Sequence, residues 1–202
     1  TGLWRAPADF CYKLPDNMSF AEAAAMPLIL GTAWFALDHT ARISKGDTVL
    51  IHAAAGGVGQ MAVQIAQRAG ARVLATVGSP AKRQLLYGLT EDQMFSSRDD
   101  TFAKGVMEAT NGRGVDIVLN SLAGPLLHAS WACLAPFGRF LEIGKRDIHE
   151  NSKIAMDPFR RNVLFASIDL VTMFEKNEAL GERLFKECFD LIANGDIKTP
   201  AT

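Results

Sequence analysis

Residues 48–60 of this 202-residue chain read Thr-Val-Leu-Ile-His-Ala-Ala-Ala-Gly-Gly-Val-Gly-Gln, and this stretch decides the fold. A short β-branched run passes into a turn of small residues, and a helical pattern begins directly after it at Val58. Counted from Ala54, the turn matches a dinucleotide-binding fingerprint in which Ala replaces the first glycine, while Gly56 and Gly59 keep the other two. Because bare amides at a helix N-terminus attract phosphate, the stretch predicts a nucleotide site between a strand and a helix.

The overall composition is that of a soluble globular protein. The chain is 49% hydrophobic and 21% charged, and its formal net charge of −1 provides no basic field for nucleic acid or anionic lipid. We expect no membrane-spanning segment, because no apolar run reaches the ~20 residues required, and no signal peptide. Three scattered cysteines, Cys11, Cys133 and Cys188, predict core thiols, no metal site and a reducing, cytoplasmic compartment.

Strand-like and helix-like segments alternate along the chain. This order predicts one α/β domain, a Rossmann-type doubly wound parallel sheet of about six strands with helices on both faces. Ser19 and Glu22 predict a capping box for a short helix that ends near Pro27, and residues 144–161 are expected to form a loop. The expected strands are 48–51, 72–77, 93–95, 115–119, 139–143 and 163–170. The other expected helices are 32–40, 58–69, 80–87, 102–109, 125–134 and 178–193.

The exit of the second strand distinguishes the two nicotinamide dinucleotides. NAD sites usually place a carboxylate there, about 20 residues after the glycines, to bind the ribose hydroxyls. This chain has Ser79, Lys82 and Arg83 instead, a hydroxyl and two cations that suit a 2′-phosphate. We therefore predict NADPH as the cofactor, although the two cations also fit the solvated first turn of a helix. The residues expected at the pyrophosphate are Ala55, Gly56, Gly57 and Val58.

Polar residues also follow the third, fourth and fifth strands, where ligands of open parallel sheets bind. Arg98 is expected to flank the adenosine half, a surface position being equally compatible. Asn120 and Ser121 suit hydrogen bonds to ribose or nicotinamide, with a helix cap as the alternative. Lys145 and Asp147 are candidates for proton transfer, or else surface charges. His52 is interpreted as a satisfied core histidine rather than a catalytic residue.

Four segments carry a resemblance to a known family: residues 30–33, 51–60, 114–124 and 138–147. They resemble the enoyl reductase domain of fungal-type highly reducing polyketide synthases and animal fatty acid synthases. That group belongs to the zinc-free branch of the medium-chain dehydrogenase/reductase superfamily. The resemblance implies transfer of the NADPH hydride to the β-carbon of an enoyl thioester held on an acyl carrier protein, followed by protonation at the α-carbon.

The resemblance also implies roles for individual residues. Thr32 would lie near the nicotinamide, and Ser79 with Lys82 at the 2′-phosphate. The residues that would line the nicotinamide cleft are Asn120, Ser121, Leu122, Gly144 and Lys145. This sequence departs from some relatives, which carry a lysine early in the helix after residue 124 that pairs with an aspartate matching Asp147. Pro125 and Leu126 stand there instead.

The same resemblance predicts a domain organisation. Residues 1–202 would form the NADP(H)-binding half of the reductase, with residues 1–30 as a lead-in from a substrate-binding half that is otherwise absent. Other synthase domains would lie in cis, and residues 163–170 could extend a sheet across a homodimer. Two alternatives stay open: a free-standing quinone or enone reductase, and a degenerate reductase that serves as a scaffold.

Overall fold

The computed structural model describes residues 5, 8, 11–16 and 18–201. Its strands are β1 (Thr48–Ile51), β2 (Arg72–Val77), β3 (Met94–Ser96), β4 (Val115–Asn120), β5 (Leu134–Glu142) and β6 (Leu164–Ser167). They form one six-stranded parallel sheet in the order β3-β2-β1-β4-β5-β6. The predicted Rossmann-type α/β fold is confirmed.

Helices pack against both faces of the sheet. They are α1 (Phe20–Trp34), α2 (Gly57–Arg68), α3 (Pro80–Arg83), α4 (Thr101–Ala109), α5 (Pro125–Ala132), α6 (Arg146–His149), α7 (Leu170–Lys176) and α8 (Glu178–Ala193). A π-helical segment, Phe35–Thr40, continues α1, and two short 3-10 helices cover Glu91–Gln93 and Asp157–Arg161.

The core has two halves because side chains alternate across the sheet. Val49 and Ile51 of β1 belong to the cluster that contains the buried residues of α1, α2, α7 and α8. Leu50, between them, belongs to the opposite cluster, which contains Phe102 of α4 and Trp131 of α5. Both faces of β1 are therefore covered, as a central parallel strand requires.

The strand register aligns the carboxyl ends where a ligand is expected. Ile51, the last residue of β1, lies beside Ala75 of β2 and Leu119 of β4. One step farther along the sheet, Asn120 at the end of β4 pairs with Glu142 at the end of β5. The exits of β1, β4 and β5 therefore lie side by side.

The first helix corrects the sequence prediction. The Ser19–Glu22 capping box is confirmed, with the Glu22 amide donating to Ser19 Oγ at 3.2 Å and the Ser19 amide donating to Glu22 Oε2 at 2.9 Å. The expected end near Pro27 is wrong, because α1 continues through it to Trp34. Met26 and Leu30, on either side of Pro27, are fully buried in the core, and this packing offsets the hydrogen bond that a proline lacks.

Helix α1 and its π-helical continuation therefore form one helical segment of 21 residues, Phe20–Thr40. By length and composition alone this segment could cross a membrane, a property concealed when the sequence is divided at Pro27. In the structure, its buried residues Leu30, Ala33 and Leu37 belong to the same core cluster as residues of α2 and α8. Residues 20–30, expected only as a lead-in, thus contribute to this core, while Pro7 of the irregular lead-in lies outside the described residues.

Other boundaries also differ from the predicted ones. Helix α3 ends at Arg83 rather than 87, since Leu85 and Leu86 bond three residues back instead of four. Strand β6 ends at Ser167, because the carboxylate of Asp169 accepts from the Val171 amide at 3.1 Å and starts the unpredicted helix α7. Strand β5 begins at Leu134 and not at 139, and the expected loop 144–161 contains α6 and a 3-10 helix. Cys133 and Cys188 are buried as expected, whereas Cys11 is exposed.

Candidate functional site

The turn between β1 and α2 is built by close approach of the backbone. Ala53 adopts a φ of 49°, and the Ala54 amide donates to the Thr76 carbonyl of β2 at 3.1 Å. A Cβ at Gly59 would lie 2.5 Å from the Ala53 oxygen, so only glycine lets the first turn of α2 pass so near this backbone. A Cβ at Gly56 would meet the same oxygen at 3.2 Å, a tight contact but a less severe one.

The N-terminus of α2 points into a cavity of about 220 Å³. Its N-cap is Gly56, which offers no side-chain hydrogen bond, so the first amides of the helix need another acceptor. The residues that line the cavity are His52, Ala53, Gly56, Gly57, Val58, Gly59, Leu119, Ser121 and Ile143. Free amides and the positive end of a helix suit a pyrophosphate, so these residues fit the predicted dinucleotide.

A buried polar chain supports the turn from below. His52 Nδ1 lies 3.0 Å from Thr76 Oγ1, and its Nε2 lies 2.8 Å from Ser130 Oγ in α5. Since the Ser130 hydroxyl donates to the Leu126 carbonyl, its oxygen accepts from His52 Nε2–H. Burial lowers the pKa of His52 to about 3, so the ring is neutral. The interpretation of His52 as a core histidine is confirmed.

Asn120 and Glu142 form a second buried pair at the exits of β4 and β5. Asn120 Nδ2 donates to Glu142 Oε2 at 2.5 Å and to the Leu122 carbonyl at 2.8 Å. Asn120 Oδ1 accepts from the Leu122 amide at 3.3 Å, while Glu142 Oε1 accepts from the Gly144 amide. The side chain of Asn120 is therefore hydrogen-bonded inside the protein, and it does not cap α5, whose N-cap is Gly124.

Burial raises the pKa of Glu142 to about 7, against the opposing effect of the hydrogen bonds from Asn120 and Gly144. Glu142 as a whole residue is only 2% exposed, so the ionised form of its carboxyl group is costly in this position. Glu142 was not predicted as a functional residue. The available signal was a carboxylate at the end of β5, directly after the apolar pair Phe140 and Leu141.

The two candidate proton-transfer residues have separate partners. Lys145 Nζ lies 3.0 Å from Asp169 Oδ2 and donates to the Ile168 carbonyl at 3.2 Å. Asp147 Oδ2 accepts from the Gly124 amide at 2.9 Å, and this hydrogen bond lowers the pKa of Asp147. Asp147 thus binds the backbone amide of the residue that caps α5.

The exit of β2 brings several predicted residues together. Ser79 is the N-cap of α3 and makes no side-chain cap bond, and Lys82 is exposed on that helix. Arg98 arrives from the end of β3, where its Nε donates to the Gly78 carbonyl at 2.8 Å. Arg83 forms an ion pair with Glu91, so it is less available than Lys82 for a ligand.

Thr32 lies in α1, and Ala55 lies in the turn before α2. The Thr32 hydroxyl donates to the Leu28 carbonyl of its own helix at 2.7 Å. The Ala55 carbonyl accepts from Gln60 Nε2 at 3.0 Å, and Gln60 also exchanges hydrogen bonds of 2.8 and 3.0 Å with the backbone of Ala201. Gln60 is a second residue whose role was not predicted from the sequence. The only signal there was a side-chain amide directly after the glycines. Over the described part of the chain, no three His, Cys, Asp or Glu side chains are grouped to hold a metal.

A family model described as zinc-binding dehydrogenase matches residues 57–194, which include α2 and most of the sheet. The chain belongs to this family. The match begins at Gly57, the first residue of α2, and includes the exits of β2 to β6, so the residues described above from Gly57 onward lie within the shared fold.

Individual relatives are more specific. The chain is 65% identical over 201 residues to the hybrid PKS-NRPS synthetase pynA of Aspergillus niger, covering 98% of this chain and 5% of that protein. It matches the crystal structure of CurK enoyl reductase with 39% identity and a TM-score of 0.85, over 97% of this chain and 58% of that one.

A third relative is a nucleotide-binding subdomain. The chain is 37% identical, with a TM-score of 0.80, to that subdomain of the enoylreductase domain of PpsC from Mycobacterium tuberculosis, covering 86% of this chain and 97% of that one. The resemblance to polyketide synthase enoyl reductases of the medium-chain dehydrogenase/reductase superfamily is confirmed.

The two glycines of the turn allow a matched test. We expect Gly59→Ala to lower the free energy of unfolding by about 2 kcal/mol or more, because its Cβ would overlap the Ala53 and Ala54 backbone. Gly56→Ala should lower it by only about 1 kcal/mol, since φ at Gly56 is −79°, its Cβ would press on one backbone oxygen at 3.2 Å without overlapping it, and alanine is a poorer N-cap than glycine. Urea denaturation of both variants measures the difference; equal losses would contradict the close approach at Gly59.

Glu142 predicts a pH-dependent stability difference. Its pKa rises from 4.5 to about 7 on folding, so its contribution to stability is greatest below pH 4.5 and declines as pH rises through 7. The free energy of unfolding of the wild type minus that of Glu142→Gln should therefore fall between pH 5 and pH 8, by up to about 3 kcal/mol. Denaturant titrations at both pH values measure it, and a constant or increasing difference would contradict the burial of an ionisable group.

Proposed function

We propose that this chain is the NADPH-binding half of an enoyl reductase within a polyketide synthase. The observation that carries the proposal is the uncapped N-terminus of α2, which points into a cavity at the exits of β1 and β4. In a chain similar to polyketide synthase enoyl reductases, such a site fits the pyrophosphate of a nicotinamide dinucleotide. The intact glycines support a binding role over a degenerate scaffold.

The cofactor-binding groups divide along the dinucleotide. The amides of Gly57 and Val58 would bind the pyrophosphate, with Gly56 leaving room for its approach. Ser79, Lys82 and Arg98 would surround the 2′-phosphate. Arg98 is already anchored on the Gly78 carbonyl through Nε, which leaves its remaining N–H groups for an anion.

The nicotinamide end would lie toward β4 and β5. Bound NADPH would supply the hydride that reduces the β-carbon of an enoyl thioester carried by an acyl carrier protein. Ser121 and Ile143 line the cavity on this side, where Ile143 would exclude water. Leu122 and Gly144 belong to the two turns held by the side chains of Asn120 and Glu142.

Proton delivery is assigned to Lys145, with Asp147 in support. The side chain of Lys145 is 40% exposed, so its ammonium group can reach a ligand from its position beside Asp169. Asp147, with its lowered pKa, is a poor proton donor near neutral pH and would instead hold the Gly124 turn. Thr32 of α1 would lie near the nicotinamide.

The chain would act in the cytoplasm beside other synthase domains in cis. Strand β6 pairs with β5 on one edge, and in the described sheet its other edge has no strand beside it. Leu164 on β6 is 47% exposed. We propose that a second copy pairs here and continues the sheet, because an open apolar edge favours strand addition.

The proposed function is tested by NADPH oxidation in the full-length protein with a crotonyl-type thioester. The wild type should oxidise NADPH and strongly prefer it to NADH. Lys82→Ala should raise the KM for NADPH about tenfold and leave that for NADH unchanged, because one charge-assisted contact to the 2′-phosphate is lost.

Lys104→Ala is the matched control, since Lys104 is an exposed lysine on α4 that faces Glu108 at 3.8 Å. It should behave as the wild type. Absence of thioester-dependent oxidation would contradict the reductase assignment. Equal use of NADH and NADPH would contradict the cofactor assignment alone.

A further inference from the structure

Glu142 connects the turn after β4 with the turn after β5. Asn120, at the end of β4, is fully buried and holds the turn through Leu122 by two hydrogen bonds to its backbone. Its remaining contact is the carboxylate of Glu142, at the end of β5. The other carboxylate oxygen accepts from the amide of Gly144. One buried side chain therefore joins the exits of two neighbouring strands.

We infer that Glu142 is a positioning residue for the nicotinamide half of the cofactor, acting as an ionised acceptor that fixes the turns after β4 and β5. The inference rests on the proposed function. It concerns how those turns are held, since Glu142 is absent from the cavity lining beside α2.

The chemistry of the two contacts requires a carboxylate. Both neighbours are N–H donors, so both oxygens of Glu142 must accept. A glutamine would present one NH₂ group to one of these donors and lose that contact. A Cβ at Gly144 would collide with Glu142 Oε1, so a side chain there would displace the carboxylate from the Gly144 amide.

Few charges compete for the carboxylate. Lys145 is paired with Asp169, and Asp147 is held by the Gly124 amide. His128 of α5 and Lys153 line a separate pocket of about 250 Å³ that includes Glu142 and Asp147. Asn120 and Gly144 are thus the groups that bind Glu142 directly. Because burial raises its pKa to about 7, protonation just below neutral pH should release this connection.

The inference predicts a loss confined to one half of the cofactor. Titration calorimetry would compare NADPH with adenosine 2′,5′-bisphosphate, which carries adenine and the 2′-phosphate but no nicotinamide. Glu142→Gln should weaken NADPH about tenfold and leave the bisphosphate within twofold of wild type. Glu150→Gln is the control, because Glu150 is an exposed glutamate at the end of α6 that pairs with Arg146.

The wild type provides a test that does not depend on a variant that folds. Between pH 8 and pH 6, its affinity for NADPH relative to 2′-phospho-ADP-ribose, which lacks only the nicotinamide, should fall up to tenfold as Glu142 takes up a proton. Titration of the 2′-phosphate cancels in this ratio, since both ligands carry it and neither has a terminal 5′-phosphate. The ratio should be independent of pH in Glu142→Gln.

Three results would overturn the inference. Unchanged NADPH affinity in Glu142→Gln would show that the turns hold without the carboxylate. Equal weakening of both ligands would show a general structural effect. A wild-type ratio independent of pH would show that the charge of Glu142 does not affect binding of the nicotinamide half. Failure of the wild type to bind NADPH would instead overturn the proposed function, and this inference with it.

Discussion

The structure depends on one close approach, between the backbone of the turn after β1 and the first turn of α2. Gly59 has no room for a side chain against Ala53 and Ala54, and Thr76 of β2 accepts and donates hydrogen bonds beneath them. This contact lets α2 begin immediately after the central strand. Its N-terminal amides then lie at the carboxyl edge of the sheet, where a phosphate can reach them.

Buried polar groups extend the support from this contact to the rest of the edge. His52 links β1 to β2 and to α5, and its neutral ring costs little in the core. Asn120 and Glu142 link β4 to β5, and here a group with a raised pKa remains where an apolar residue would be less costly. The need for a hydrogen-bond acceptor between the turns after β4 and β5 accounts for the cost of burying this carboxyl group.

The sequence predicts the parts whose cause is local. Strands β1 and β2, helix α8 and the glycine turn follow from residue pattern and backbone freedom, so their predicted positions agree with the structure. The continuation of α1 through Pro27 depends on core packing that no local pattern reveals. Helix α7 depends on the cap at Asp169, which an apolar run conceals.

The same division holds for the site. Strand exits identify Gly56, Ser79 and Ser121 as candidate ligand contacts, because ligands of parallel sheets bind at that edge. The partners of polar side chains are tertiary and could not be predicted. The bonds of Asn120 to Glu142 and Leu122 have no signal in the sequence, and Glu142 acquires its importance only from the pairing of β4 with β5.

Amide hydrogen exchange with and without NADPH tests the central claim most directly. If the N-terminus of α2 binds the pyrophosphate, NADPH should slow exchange of the Gly57 and Val58 amides and leave the exposed side of α8 unchanged. NADPH binding that leaves these two amides unprotected would contradict the account.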